Sequence, residues 1–393
     1  MAAHSRTYSI HSAKDVIGLL DSIGKGPQDK ASPGGNARIA LVNPTSDRME
    51  IAARIIARGI PHHGQRGIWF SPDPPDQGKC AFLFPGAEYR SLQLRELAIS
   101  LGLEPPGEIQ NTNDPLSEGR RAMEVGLFMD QAMQRIGIYP DTRVGSSCGE
   151  WAALLATGGL QSSRLMDRDH IGLKCPDYIY LVVATGASTL ETILDHECLR
   201  SLVFISHRNS PRQSIACSPP SEIQRLQDAL TARGIRVTPI DVRSGFHCPG
   251  YAHYVDDALA FLELRYHAPR QQVWSCVNAQ PVPEDRDACA YLIRQSFTEP
   301  VDFERTLHAM HADGVRTFID LGGGSLAQLT GEILAGLPHV SIAAAHHARD
   351  GASSLQRTLL ALWATHRDVD PNALDALISN SAQFTLPIGP HIP

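Results

Sequence analysis

The stretch whose reading decides the fold is "RVGSSCGEWAALLATGGL", Arg143 to Leu160. A short apolar approach ends at Gly145; Ser146, Ser147, Cys148, Gly149 and Glu150 follow, and then a helix-like run. Gly-x-Ser-x-Gly between a strand and a helix is the pattern of a nucleophile elbow, whose tight turn lifts a serine hydroxyl above the sheet edge. Ser147 is therefore a candidate nucleophile, and a serine hydroxyl stays weak until a base takes its proton. Cys148 would place its backbone N–H at the helix N-terminus, where a developing oxyanion is stabilised. A small-residue turn that only packs a helix on a sheet has the same pattern, so the motif alone leaves both readings open.

Working outward, the chain has 393 residues, enough for a large core and two or three domains. Its 42% hydrophobic and 20% charged residues are those of an ordinary globular protein. A net charge of -7 gives no basic field for a phosphate backbone, which argues against nucleic acid as a partner. No apolar run approaches the roughly 20 residues that span a bilayer. The first residues, "MAAHSRTYSIHSAKDVIGLL", lack a signal-peptide core, so the expected address is cytoplasmic. Eight scattered cysteines without a C-x-x-C pair suit reduced thiols better than disulfides or zinc.

Periodicity divides the chain into segments. Residues 21–36, rich in Gly, Pro, Ser and charge, read as a linker, so 1–36 is expected to be a mobile N-terminal segment. Residues 37–75 hold a strand, "ARIALVN", and a helix, "RMEIAARIIARG", as a small α/β domain. A large α/β domain with a parallel sheet begins at 76 with "CAFLFPG" and runs to 175. Residues 176–242 read β-α-β-β-α-β, the order of a ferredoxin-like unit inserted into the larger domain, which resumes over 243–348. Residues 349–393 read as a linker-like tail ending in "LPIGPHIP".

A serine nucleophile needs a base, and His247 in "VRSGFHCPGYAHYV" lies where the chain leaves the insert, a junction expected to face the crevice between subdomains. The pairs His62-His63 and His346-His347 sit in loop-like contexts. His308 and His311 share a helix without a third ligand, so no metal is expected. "GGGSLA" (322–327) fits a dinucleotide fingerprint only in its glycines, and "GLLDSIG" (18–24) fits a carrier-protein serine with too little chain before it.

Six motifs together resemble the acyltransferase domain of polyketide and fatty-acid synthases, the malonyl-CoA:acyl-carrier-protein transacylase family. They are "FLFPG" (82–86), "GSSCGEWAAL", "RNSPRQ" (208–213), "SGFHC", "LIRQSFTEPVDFERTL" and "GVRTFIDLGGGSL", in the family's order over about 79–345. The flanks at 37–75 and "LPIGPHIP" are similar to the linker segments around such domains. The resemblance implies an α/β-hydrolase-like large domain with an inserted ferredoxin-like subdomain. It implies Ser147 as nucleophile, His247 as base and acid, and the backbone N–H groups of Ala87 and Cys148 as an oxyanion hole. It implies the backbone carbonyl of Gln295 as the group orienting the histidine. Substrate contacts fall on Ser146, Gly172, Ser244, Gly245 and Phe246. No bound cofactor is implied: an acyl-CoA is the substrate and a phosphopantetheinylated acyl carrier protein the partner, with further synthase domains as possible company.

The departures bear on specificity. The family's malonyl-selective members carry an arginine 25 positions after the serine, which grips the substrate carboxylate; here that position is Gly172. Arg168 and Lys174 flank it and offer a shifted cation. Ser146 replaces a histidine, and Ser244-Gly245 is a smaller version of the segment before Phe246. Together these point to a non-carboxylated acyl group. An acyl hydrolase that clears carrier proteins, a malonyl extender-unit transferase and a vestigial docking domain are the alternatives.

Overall fold

The computed structural model describes residues 8–30, 35–86, 93–107, 115–167, 173–240, 242–346 and 351–381. The N-terminal unit contains β1 (Tyr8–Ala13), α1 (Val16–Gly24), β2 (Ala37–Val42), α2 (Ser46–Arg58), β3 (His62–His63) and β4 (Ile68–Ser71), its strands ordered β1-β2-β4-β3. Residues 8–24 are thus built into the fold, which corrects the expectation of a mobile segment over 1–36. Asp15 caps α1 by accepting from the Gly18 N–H, and Leu19 and Ile23 anchor the helix on the sheet. The polar letters of β1 mask its burial: Ser9 Oγ meets His11 Nε2 at 2.9 Å, and His11 Nδ1 meets Ser22 Oγ at 3.0 Å. Once satisfied in this way, polar side chains can be buried at little cost.

The first part of the large domain holds β5 (Lys79–Phe84), α3 (Arg95–Leu101), α4 (Pro115–Arg135), β6 (Thr142–Gly145), α5 (Cys148–Thr157) and β7 (Leu160–Gln161). The insert follows as β8 (Ile179–Val183), α6 (Ala187–His196), β9 (Phe204–Ser210), β10 (Gln213–Ser218), α7 (Pro220–Ala232) and β11 (Val237–Ile240). The chain returns through α8 (Val255–Leu262), β12 (Arg265–Tyr266), β13 (Gln272–Ser275), β14 (Gln280–Pro281), α9 (Arg286–Ser296), β15 (Val301–Asp302), α10 (Phe303–Ala312), β16 (Val315–Asp320), α11 (Ser325–Ile333) and β17 (Val340–Ala343). Two helices end the described chain, α12 (Gly351–Ala364) and α13 (Ala373–Ser381).

Two sheets position the site. The large one runs β14-β13-β6-β5-β16-β17, parallel from β13 to β17 with β14 antiparallel at one edge. The small one runs β11-β8-β10-β9-β15. Its α6 and α7 cover one face through Leu181, Val183, Leu190, Leu226 and Leu230. By alternation along the strands, the other face is left to line a cleft. β15 comes from beyond the insert and pairs in parallel with β9, Val301 opposite His207, so the returning chain is stitched into the small sheet.

The region 349–393 is also more than a tail. α12 is buried along its length, with Leu360, Trp363 and Ala364 packed on Tyr8, Ile10 and Ala40. The Arg38 guanidinium donates to the Trp363 carbonyl at 3.1 Å. This helix covers the N-terminal sheet on the face opposite α1 and α2, and Ser354, Gln356 and Thr358 are buried beside its leucines, so its apolar pattern is broken in the sequence. "LPIGPHIP" lies outside the described residues.

Candidate active site

Four parallel strands end at the same edge of the large sheet, where open α/β sheets hold their ligands. β6 runs into the elbow, β5 ends at Phe84, β16 ends before Gly322–Gly324, and β17 leads to His346. The turn after β6 is tight enough to exclude side chains. A Cβ on Gly145 would lie 1.9 Å from the Gly149 carbonyl carbon, and one on Gly149 would lie 2.3 Å from the Phe84 oxygen. The Ser146 N–H donates to that same Phe84 carbonyl at 3.0 Å, tying the elbow to β5. Ser147 is left at φ 53° and ψ −123°, a left-handed backbone costing about 1–3 kcal/mol and characteristic of functional turns.

His247 faces it from the other side of the crevice. Its Nε2 lies 2.6 Å from Ser147 Oγ, and its Nδ1 lies 2.7 Å from the Ser296 carbonyl oxygen. A carbonyl can only accept, so Nδ1 carries the proton and Nε2 is a bare acceptor for the serine hydroxyl. The His247 N–H donates to the Phe297 carbonyl at 2.8 Å, so consecutive carbonyls hold both the ring and the backbone. Burial pulls the imidazole down to about 4, against a smaller upward pull from the Ser296 carbonyl; the ring is neutral at neutral pH.

The orienting carbonyl therefore belongs to Ser296, which corrects the assignment to Gln295. The Gln295 carbonyl is consumed at the end of α9, accepting from the N–H groups of Thr298 at 2.9 Å and Glu299 at 2.8 Å. The next carbonyl, as the chain leaves the helix, turns toward the histidine ring, and the one after it takes the histidine's backbone N–H. Motif spacing does not resolve such a one-residue offset.

The pair opens on a cavity of about 710 Å³ between the two sheets. Ser146, Ser147, Cys148, Ser244, Phe246 and His247 all line it. The Ser244 hydroxyl is bound to Tyr180 Oη at 2.7 Å, and Tyr180 also donates to the Phe246 carbonyl at 3.2 Å. Gly245 has φ 74°, and a Cβ there would strike Pro176 Cγ at 2.5 Å, so the small residue is a packing requirement. Behind Ser147 lies an apolar pocket of about 60 Å³ walled by Met123, Trp151, Leu165, Leu173, Phe246 and Phe297. Trp151 and Phe297 meet edge to face at 5.3 Å. Ala87, Arg168 and Gly172 lie outside the described residues. Lys174 is exposed and reaches Asp257 at 3.4 Å, so it is directed along the surface.

Three further observations complete the site. The glycine loop after β16 wraps the chain's own anion: Asp320 accepts from the N–H groups of Gly322 at 2.6 Å and Ala327 at 3.0 Å. That occupancy accounts for a glycine-rich turn without a dinucleotide fingerprint's downstream features. His346 lines the cavity although its sequence context reads as a loop, and His207 of β9 lines it too; neither carries a local sequence signal. Among the described residues no three His, Cys, Asp or Glu side chains form a metal-binding group, and no helix is long and apolar enough to cross a membrane.

Glu150, the first-turn acid of α5, is 4% exposed and accepts from the Cys276 N–H at 2.9 Å. Burial raises its carboxyl from 4.5 to about 7, with the Ser275 hydroxyl and the Cys276 N–H pulling the other way. A carboxyl raised in the fold contributes stability that is full below about pH 4.5 and is lost as pH rises through about 7. Glu150→Gln should therefore remove that loss, leaving the variant up to about 3 kcal/mol less penalised than wild type at pH 8. Urea denaturation of both proteins at pH 5 and pH 8 reads the difference. Parallel pH dependence of the two would refute the assignment.

A strained serine, a neutral imidazole on its hydroxyl and a carbonyl fixing the tautomer constitute a serine site able to form a covalent ester. The chain belongs to the acyl transferase domain family, whose model matches residues 119–332, more than half of its length. Among curated relatives it is 32% identical over 194 residues to the non-reducing polyketide synthase stmB of Aspergillus ustus, covering 46% of this chain and 9% of that synthase. It is 27% identical to the malonyl CoA-acyl carrier protein transacylase of Bacillus subtilis, covering 48% of this chain and 63% of that enzyme. The chain thus spans only a small fraction of the synthase and less than two thirds of the transacylase. The fold is similar to that of the acyltransferase domain from module 8 of the salinomycin polyketide synthase, with TM-score 0.74 and 18% identity over 93% of this chain and 97% of that one. The malonyl-CoA:acyl carrier protein transacylase of Xanthomonas oryzae gives TM-score 0.59 and 20% identity over 71% and 98%.

Proposed function

We propose that this domain takes an acyl group from an acyl-CoA onto Ser147 and passes it to the phosphopantetheine thiol of an acyl carrier protein. The observation that carries the reading is the 2.6 Å contact between Ser147 Oγ and His247 Nε2 at the mouth of a cavity shared by two sheets. In the first half-reaction His247 takes the serine proton as Oγ attacks the thioester carbonyl, then returns it to the leaving thiolate. The backbone N–H of Cys148, and that of Ala87 from the family resemblance, would receive the oxyanion. In the second half-reaction the carrier thiol gives its proton to His247 and attacks the serine ester, regenerating Ser147. Thioester and ester are close in energy, so stabilising the tetrahedral states and excluding water is the main work.

For the acyl group, the apolar walls of the 60 Å³ pocket favour a short uncharged chain. A carboxylate placed among Met123, Leu165, Leu173 and Phe297 would give up hydration against apolar walls. A second reading, malonyl, is favoured by the name of the Bacillus relative. Loading the protein with malonyl-CoA and propionyl-CoA in direct competition separates them. The expected product is propionyl-Ser147 in excess. A malonyl preference abolished by Arg168→Ala would instead assign the domain as an extender-unit transferase.

A further inference from the structure

The small sheet contributes a second imidazole to the site. His207 of β9 lies with its ring centroid 5.1 Å from that of His247, the two planes at 78°. We propose that His207 is a positioning residue for the Ser147–His247 pair: its ring, delivered from the small sheet, walls His247 off from water and fixes the plane in which Nε2 meets the serine hydroxyl. The inference rests on the acyl-serine reading given above.

Its own orientation is fixed from behind. Ser206 Oγ donates its proton to the Ile215 carbonyl at 3.2 Å, so at 3.0 Å from His207 Nδ1 it acts as the acceptor. The Nδ1–H is thereby spent on Ser206. The strand beneath is pinned on both sides, by β10 and by the parallel pairing of His207 with Val301. His247 needs such a brace. Its backbone sits at φ 62°, and the carbonyls of Ser296 and Phe297 hold Nδ1 and the main chain, while the ring face meets His207.

His207 acts here as a ring rather than as a base. Burial holds it well below the ordinary histidine range, and the neighbouring His247 pushes the same way, since a charge on one opposes a charge on the other. It therefore stays neutral while His247 takes the serine proton. The other titratable groups on this cavity are Glu118 of α4, Cys148 of α5, Tyr180 of β8 and His346 after β17. Changing His207 leaves all of them in place.

The test uses the full chain and three variants, His207→Ala, His207→Asn and His207→Phe, each checked by thermal melting. Acylation of Ser147 is followed by intact mass, with the fastest-loading member of an acetyl-, propionyl-, malonyl- and methylmalonyl-CoA panel and with a fluorophosphonate. The Ala variant should acylate about tenfold or more slowly at saturating acyl-CoA, with the half-saturating concentration unchanged. Its acid limb should move up from about pH 4 toward the ordinary histidine value of about 6.5 as water reaches His247. Asn keeps a polar partner for Ser206 but lacks the breadth of the ring, so it should fall with Ala. Phe, which keeps the breadth and excludes water, should stay within about threefold of wild type with its acid limb in place. The proposal is overturned by an Ala variant as fast as wild type, by a Phe variant as slow as Ala, or by an acid limb that does not move. A wild-type protein that loads from none of the panel and resists the fluorophosphonate would overturn the acyl-serine reading itself, and this inference with it.

Discussion

Ser147→Ala loses covalent loading completely while melting as wild type does. The substitution removes one oxygen from a half-buried position whose backbone is set by the surrounding turn. Gly145 and Gly149 create that turn by letting the elbow press against β5, and neither depends on the serine hydroxyl. No other hydroxyl is within hydrogen-bond reach of His247 Nε2 among the described residues. Intact mass after incubation with acyl-CoA should therefore show an adduct on wild type and none on the variant. An adduct of equal stoichiometry on Ser147→Ala would move the nucleophile elsewhere, Cys148 being the nearest alternative.

His247→Ala slows acylation by about 10²–10⁴, the usual worth of a positioned general base. The size of the effect follows from the tautomer. With Nδ1–H committed to the Ser296 carbonyl, Nε2 is the acceptor on Ser147, and its loss leaves the hydroxyl with its proton. Because burial holds the ring down to about 4, the base is unprotonated through the neutral range. The wild-type rate should thus stay flat as pH falls from 7 to about 5 and decline only as pH approaches 4. A decline centred near 6.5 would mean a solvated histidine and a looser site. A variant with the wild-type rate at pH 7 would place the base elsewhere.

The parts of this architecture legible in the sequence are those in which local pattern and tertiary role coincide. The elbow could be read because the two glycines that its close packing on β5 requires flank the serine at a fixed spacing between a strand and a helix, and the histidine motif supplies the partner that the spacing alone leaves open. The insert's four strands and two helices could be read because α6 and α7 cover one sheet face and leave ordinary amphipathic patterns. β1 was hidden because Ser9 and His11 are buried as a satisfied polar network, and α12 because Ser354, Gln356 and Thr358 are buried among its leucines and break the apolar pattern. Both elements are specified by what lies more than 300 residues away along the chain, Trp363 against Tyr8 and Ile10.

The site shows the same division. Ser147 and His247 stand in motifs, whereas Ser296 acts through its carbonyl, which any residue possesses. His207 and His346 reach the cavity only because the small sheet folds over the strand ends of the large one. A backbone atom and two histidines outside any motif leave no trace in residue type or spacing, and chain geometry alone brings them to Ser147.

The central claim, that Ser147 carries an acyl group in transit between two thiols, is tested most directly by transfer. Acyl-enzyme freed of acyl-CoA is mixed with a phosphopantetheinylated acyl carrier protein, and the intact masses of both proteins are followed over time beside a sample without carrier. The account predicts that the acyl mass leaves Ser147 and appears on the carrier faster than it is lost to water alone. An unmodified carrier, with the acyl group leaving Ser147 at the same rate whether carrier is present or not, would contradict it.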